Sequence, residues 1–418
     1  LSTNTIGVTT TFNNISYYNG SAWSNMGAGV SPGLVSGIVN TINVQAPSEV
    51  LIGGGFLEDS NSNSMRYITD YNSFYNTFNA IQDPEITPYG VNGVIYAVET
   101  DGTYIYVGGA FSKAGGRDAS NIARYHIANK EWEPLFGQLG NTSVAASFTI
   151  YTNGEGTNGA VRALYYDQVN NILYVGGDFT SAQSLQITAS YVAYWTPGTP
   201  GKWNALLDGS GPNQGTNSSV YCITGDSTTS KIYIGGNFSS VASGVIQANN
   251  IAYWNYSGGF WFPLYDPSNA YNGVDGIVRC LWYGASSYFS GGYGLLLGGD
   301  FPNIASASGV DKIANRVAAW IPNGQYWCPL YSDNFNPSSP TTTPGTNASV
   351  YAITSDANNN VYIGGEFTEV YDESSTLVCN YIIKYTFNAA GTNYFNGTWN
   401  VFTNMSTTIL SLYYSTSN

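Results

Sequence analysis

One string recurs along this chain: a short hydrophobic run, often aromatic, that ends in Gly-Gly, one variable residue and Phe. It stands at 51–56 (LIGGGF), 105–111 (IYVGGAF), 173–179 (LYVGGDF), 232–238 (IYIGGNF), 295–301 (LLLGGDF) and 361–367 (VYIGGEF). Self-similarity of this kind marks a repeat architecture, in which each unit buries its apolar face against the next, and no other feature constrains the fold as tightly. Each copy is preceded by an apolar run, starting at Val39, Ile95, Val161, Val220, Val278 and Val350. Each is followed by an aromatic run, starting at Tyr67, Ile122, Val192, Ile251, Val317 and Ile382, and then by Phe78, Trp132, Trp203, Trp261, Trp327 or Trp399. The pattern reads as four strands per unit, here lettered a to d with Gly-Gly at the end of b, and about 45 to 70 residues per unit.

That is the size of one blade of a propeller. The expectation is an all-β fold: a seven-bladed β-propeller of four-stranded blades, forming a single domain over residues 1–418. Six blades are explicit, and the seventh is expected from both ends of the chain. Residues 6–12 (IGVTTTF) align with strand b and lead into 15–18 and Trp23, whereas 409–415 (ILSLYYS) align with strand a. Pairing of N-terminal strand b (6–12) with C-terminal strand a (409–415) would close the ring and remove its open edges. Gly-Gly allows close backbone approach, and the flanking aromatics fill the wedge between blades. The third residue of strand a is small throughout: Thr41, Ala97, Ala163, Cys222, Cys280, Ala352 and Ser411. Crowding near the ring axis explains this, so Cys222 and Cys280 stand in for alanine. With Cys328 and Cys379 they are too scattered for a disulfide framework or a zinc site.

At these residues the chain resembles the kelch and galactose-oxidase-like propellers. The narrower pattern, YVGGxF with IAxY/W and WxPL, is similar to repeat proteins of giant viruses of protists and of microbial cell surfaces. The resemblance implies a structural or protein-binding module on a virion or extracellular surface, with other surface or virion proteins as partners. It implies no particular chemistry, because propellers host many functions.

Twelve basic residues stand against 26 acidic ones, a net charge of −14, so the basic surface that nucleic acid requires is missing. No run approaches the roughly 20 apolar residues of a membrane span, and no membrane insertion is expected. A galactose-oxidase-like copper site implies two histidines, and the chain has His126 alone. A Ser-His-Asp hydrolase would also need His126, and no nucleophile elbow appears. A sialidase-like site would use arginines, and Arg162 and Arg279 do share the second position of strand a. That position is Asn40, Tyr96, Tyr221, Tyr351 and Leu410 elsewhere, so a third arginine is lacking and pairing or interblade packing is the simpler role. Acidic residues gather at Glu58, Asp59, Asp83, Glu85, Glu369, Asp372 and Glu373, which read as a solvated surface; a glycoside-processing enzyme is the least favoured reading. Asp356, Asn358 and Asn360 have the oxygen spacing of a calcium loop, although turn chemistry explains them more simply. No enzyme and no cofactor are expected.

Nine Asn-x-Ser/Thr sequons occur. Asn14, Asn19, Asn141, Asn217, Asn255, Asn347, Asn396 and Asn404 fall in expected loops and are glycosylation candidates; Asn237 sits at a strand end. Long b-to-c and d-to-a connections share one side of the ring, so contacts are expected in 57–65, 79–93, 137–160, 239–249, 302–315, 332–348 and 368–378. The insertion 284–294 is a single long a-to-b connection on the plain side. Abundant Tyr and Trp support a second reading, a lectin-type propeller binding cell-surface glycans.

Overall fold

The structure, a computed structural model, describes residues 2–5, 8–11, 14–27, 34–35, 37–46, 48–59, 61–83, 90–135, 156–183, 186–198, 201–209, 211–267, 271–285, 293–304, 312–332, 344–358, 360–372, 375–390, 395–402 and 407–414. Among them every regular element is a strand. In blade 3, strands Val161–Asp167, Ile172–Gly177, Val192–Thr196 and Lys202–Ala205 pair antiparallel in chain order. The same a-b-c-d order forms the sheets that begin at Val39, Val94, Val220, Val278 and Val350. The last two of these sheets are joined at their outer strands, where Leu330, Tyr331 and Ser332 pair in parallel with Phe395, Asn396 and Gly397. First strands of consecutive blades pack against one another, which makes strand a innermost.

The Gly-Gly string has two separate jobs. A Cβ on Gly109 would lie 2.1 Å from the Val94 carbonyl oxygen, inside the bulge that interrupts strand a between Ile95 and Ala97. A Cβ on Gly108 would lie 2.4 Å from Val161 Cγ1 of the next blade. The second glycine therefore admits the blade's own bulge, and the first admits the neighbouring blade. The tryptophans of strand d complete the junctions. Trp203 and Trp261 are each at most 2% exposed, and their Nε1 groups donate to Leu135 and Leu206 carbonyls of the preceding blade at 3.1 and 2.9 Å. An indole so buried removes about 200 Å² from water, of the order of 5 kcal/mol of transfer free energy, and its one polar atom keeps a partner. All four cysteines are free, and Cys222 and Cys280 occupy the small inner positions as expected.

Closure differs from the expectation. Residues 8–11 pair with 2–5 in a local hairpin, Ser2 opposite Thr11, instead of with 409–415. Residues 16–18 and 23–25 form another hairpin, and 409–414 join no strand. A hairpin between neighbours along the chain can form before the rest of the ring assembles, and so it competes with the distant partner. The inner packing is nonetheless kept. Ile409 and Leu412 meet Gly364 as Val161 and Leu164 meet Gly108, and Ile409 N–H donates to the Gly365 carbonyl at 3.0 Å. Tyr18, Trp23 and Tyr362 surround Phe402, with ring centroids 5.1 to 6.1 Å away. Side chains, not a strand pair, bridge the two ends.

Candidate functional site

In an a-b-c-d blade the b-to-c and d-to-a connections leave from the same side, so this side carries whatever the chain adds to the scaffold. The b-to-c connections are not free loops. Five of them fold into small hairpins: Lys113–Ala114 with Arg117–Asp118, Ser181–Ala182 with Ile187–Thr188, Ser240–Val241 with Ile246–Gln247, Asn303–Ile304 with Lys312–Ile313, and Glu369–Asp372 with Ser375–Val378. A second repeat fastens each hairpin to the segment ahead of strand a. In blade 3, Asn158 Oδ1 accepts from the N–H groups of Thr180 and Ser181 at 2.9 and 3.0 Å, and its Nδ2 donates to Thr180 Oγ1 at 3.0 Å. Asn92, Asn217 and Asn347 make the same three bonds to Ser112 and Lys113, to Ser239 and Ser240, and to Thr368 and Glu369. Asp275 takes the place in blade 5, accepting from the Asn303 backbone and side chain.

Two residues before each latch is a glycine with positive φ: Gly90, Gly156, Gly215, Gly273 and Gly345. A Cβ on Gly156 would lie 2.2 Å from the Ser120 carbonyl oxygen of the preceding blade, and Thr157 N–H donates to that oxygen at 3.0 Å. The signal is visible in sequence as Gly-Thr-Asn at 156–158, 215–217 and 345–347, varied to Gly-Val-Asn at 90–92 and Gly-Val-Asp at 273–275. Reading for the Gly-Gly string alone misses it.

The inner rim of this side is a ladder. Arg162 lies over Tyr96 and Tyr221, 5.1 and 5.6 Å from the ring centroids, and Arg279 lies over Tyr221 and Tyr351 at 5.9 and 5.4 Å. Arg162 Nε and Nη2 both donate to Asp178 Oδ2 at 2.7 Å. Arg279 does the same to Asp300 Oδ2, at 2.7 and 2.6 Å. The acid in each pair is the variable residue of the Gly-Gly string. Among the described residues the two arginines are each paired with an aspartate and packed on tyrosines, with no third arginine beside them.

Farther along strand a, between blades 1 and 2, Asn43 Nδ2 donates to Glu99 Oε2 at 3.0 Å. Burial pushes the Glu99 carboxyl up to about 7, against the hydrogen bonds from Asn43 and the Thr100 backbone. Burial likewise raises Asp70 to about 7, with the nearby charge of Glu49 adding to the effect.

On the plain side, aspartates at the end of strand a close the a-to-b turns. Asp356 Oδ1 accepts from the N–H groups of Asn358 and Asn360, and Oδ2 from Asn360 Nδ2 and Tyr362 O–H. Asp101, Asp167 and Asp226 act likewise, so Asp356 closes its turn as the corresponding aspartates of other blades do. Hydrogen bonds from Thr228, Thr229 and Tyr283 hold the Asp226 carboxyl below its usual value although burial opposes them. His126 is half-buried at the end of strand c, edge-on to Tyr104 at 4.7 Å, and its Nδ1 accepts from Asn129 N–H at 3.2 Å. Asp59 accepts from Asn61 and Asn63 within its own loop, and Asp83 lies 3.9 Å from Arg117.

Of the sequons, Asn14, Asn19 and Asn237 are exposed, and Asn255 caps a turn through Ser257 and Gly258. Asn217 and Asn347 are latch residues. Asn396 lies in the outer strand Phe395–Val401. Asn141, Asn404, Glu85, Glu373, all of 137–155, 305–311 and 333–343, and most of the 284–294 insertion lie outside the described residues.

No family model matches the sequence, and a search of curated proteins finds no match. Solved structures do match. RRP9 WD40 repeats are 12% identical, over 91% of this chain and 84% of that chain, with a TM-score of 0.50. A chain of the Mitotic Checkpoint Complex is 11% identical, over 89% and 82%, also with a TM-score of 0.50. The extracellular domain of a hybrid two component system from B. thetaiotaomicron is 14% identical over 86% of this chain and 36% of that chain, with a TM-score of 0.46; this chain spans about a third of its length. The likeness to RRP9 WD40 repeats and to the checkpoint-complex chain is one of fold: an all-β chain of four-stranded antiparallel sheets, like a β-propeller.

Proposed function

We propose that this chain is a non-catalytic, protein-binding propeller of the kelch-like kind, one domain with seven blade positions, the seventh assembled from both ends of the chain. Its recognition surface is the side bearing the latched hairpins. The carrying observation is the latch itself: five repeats fasten an added layer to the scaffold through Asn or Asp, which gives that side a fixed shape on which side chains vary freely. Membership of one similar propeller in a protein complex agrees with this use. The paired rim arginines and the turn-capping His126 give no support to a catalytic reading. The motif likeness and the sequons favour a virion or extracellular surface, with Asn14, Asn19 and Asn255 as the sites best placed to carry glycan.

The test compares two multiple variants with the parent as bait for surface proteins of the native source. One replaces exposed residues of the hairpins at 113–118 and 240–247; the other replaces exposed residues of the turns at 101–103 and 168–171. Loss of a captured partner by the first alone, at unchanged melting temperature, supports the assignment. Loss by the second alone moves the binding surface to the plain side. Peptide mapping of the native protein reads the sequons directly.

A further inference from the structure

The variable residue of the Gly-Gly string is a polar side chain in four blades: Asp178, Asn237, Asp300 and Glu366. In blade 2 it is Ala110, a methyl group, and beside it the latched side has a hollow of about 530 Å³ at the junction of blades 2 and 3. Phe111, only 6% exposed, supplies an apolar floor. The wall is made of Asn92, Ser112, Ser120, Asn121 and Asn158, and no lining residue carries a charge.

Several of these groups are held in place by other bonds. Asn92 and Asn158 are the latches of the two blades. Asn121 Nδ2 donates to the Thr157 carbonyl at 2.9 Å, which fixes the direction of its Oδ1. That oxygen and Ser120 Oγ make no hydrogen bond among the described residues, and Ser112 Oγ, which accepts from Asn92 Nδ2 at 3.0 Å, keeps its own proton to donate. The rim of the hollow is thus a set of preset, uncharged donors and acceptors around a small apolar floor.

We infer that this hollow is a binding site for a neutral carbohydrate unit. An anion or a cation would meet no opposite charge here, in a chain whose net charge of −14 already disfavours anions. A purely apolar ligand would leave the amide and hydroxyl groups without partners. A pyranose matches both features: each hydroxyl donates and accepts, and the C–H face lies on the Phe111 side. The hollow is shallow and open to solvent, which suits a single sugar unit at the end of a chain and not an enclosed ligand. The site is independent of the protein-binding reading and stands or falls without it.

The repeat supplies the test. Ala110→Glu gives blade 2 the Tyr–Glu combination that blade 6 has in Tyr351 and Glu366, where the two side chains are hydrogen-bonded. Ala110→Asp copies the residue of blades 3 and 5. Both should fold, since other blades carry these residues, and both place a carboxylate at the edge of the hollow. Methyl glycosides of glucose, galactose, mannose and N-acetylglucosamine are titrated into the parent protein by ligand-observed NMR. At least one is expected to saturate, and its affinity should fall at least tenfold in Ala110→Glu or Ala110→Asp at unchanged melting temperature, and about threefold in Ser120→Ala. The inference is overturned if no glycoside saturates by about 10 mM, or if a bound glycoside is held equally well by a folded Ala110 variant.

Discussion

Blades 2 to 6 and the seam between the two ends use the same inner contacts but differ in backbone pairing. In the blades, Val161 and Leu164 press on Gly108 while strand a is hydrogen-bonded along its length to strand b. At the seam, Ile409 and Leu412 press on Gly364 with one backbone bond among the described residues, Ile409 N–H to the Gly365 carbonyl, and the N-terminal strands pair with each other. The contrast separates two things that a repeat sequence encodes together. Apolar residues at fixed spacing carry the packing wherever the chain runs, but hydrogen-bonded closure must compete with any hairpin that can form locally.

The largest expected effect breaks the packing on each side of this contrast. Gly108→Val, forced against Val161 and the Leu164 side chain, should destabilise by about 3 kcal/mol or more. Gly364→Val meets Ile409 of a segment that can give way, and should cost about half as much. Equal losses in denaturant melts would show the seam to be as rigid as the blades. Next in size, Leu164→Ala should cost about 2–4 kcal/mol, because Leu164 is only 7% exposed. Leu412→Ala, at a half-buried position, should cost about 1 kcal/mol.

The latches sharpen the comparison, since they belong to the blades alone. Asn158→Ala removes three hydrogen bonds and should cost about 1–3 kcal/mol, whereas Asn158→Asp should recover most of this, as Asp275 serves in blade 5. Chemical denaturation of both variants reads the difference.

A separate effect depends on pH. Glu99 and Asp70 have folded-state values raised to about 7, above those of the unfolded chain, so the native state holds more protons between roughly pH 4.5 and 7. Their contribution is fully present below the unfolded value and is lost as pH rises through about 7. Melting temperature should therefore decline from pH 5 to pH 8, and Glu99→Gln with Asp70→Asn should flatten that slope.

The blades were legible in sequence because each strand b ends in the same contiguous string, and the small third residues of strand a marked the axis correctly. The latch escaped notice because it consists of small residues, Gly156, Thr157 and Asn158, whose partner lies 22 residues downstream, and because Val and Asp replace Thr and Asn in some copies. The hollow was hidden for a related reason: Ala110 occupies the position that looks merely variable. The rim ladder was half legible. The shared position of Arg162 and Arg279 was plain, but their pairing with Asp178 and Asp300 required the fold that brings strand a beside the end of strand b. Closure was misread because alignment registers which residues belong to a strand and is blind to which partner is nearer along the chain.

Amide hydrogen exchange resolved to single residues tests the central contrast most directly. Seam packing without strand pairing predicts slow exchange across 161–167, and exchange at least about tenfold faster across 410–414, with Ile409 alone protected at the seam. Protection of 410–414 equal to that of 161–167 would mean that the ring is closed by a hydrogen-bonded strand, and would contradict the account.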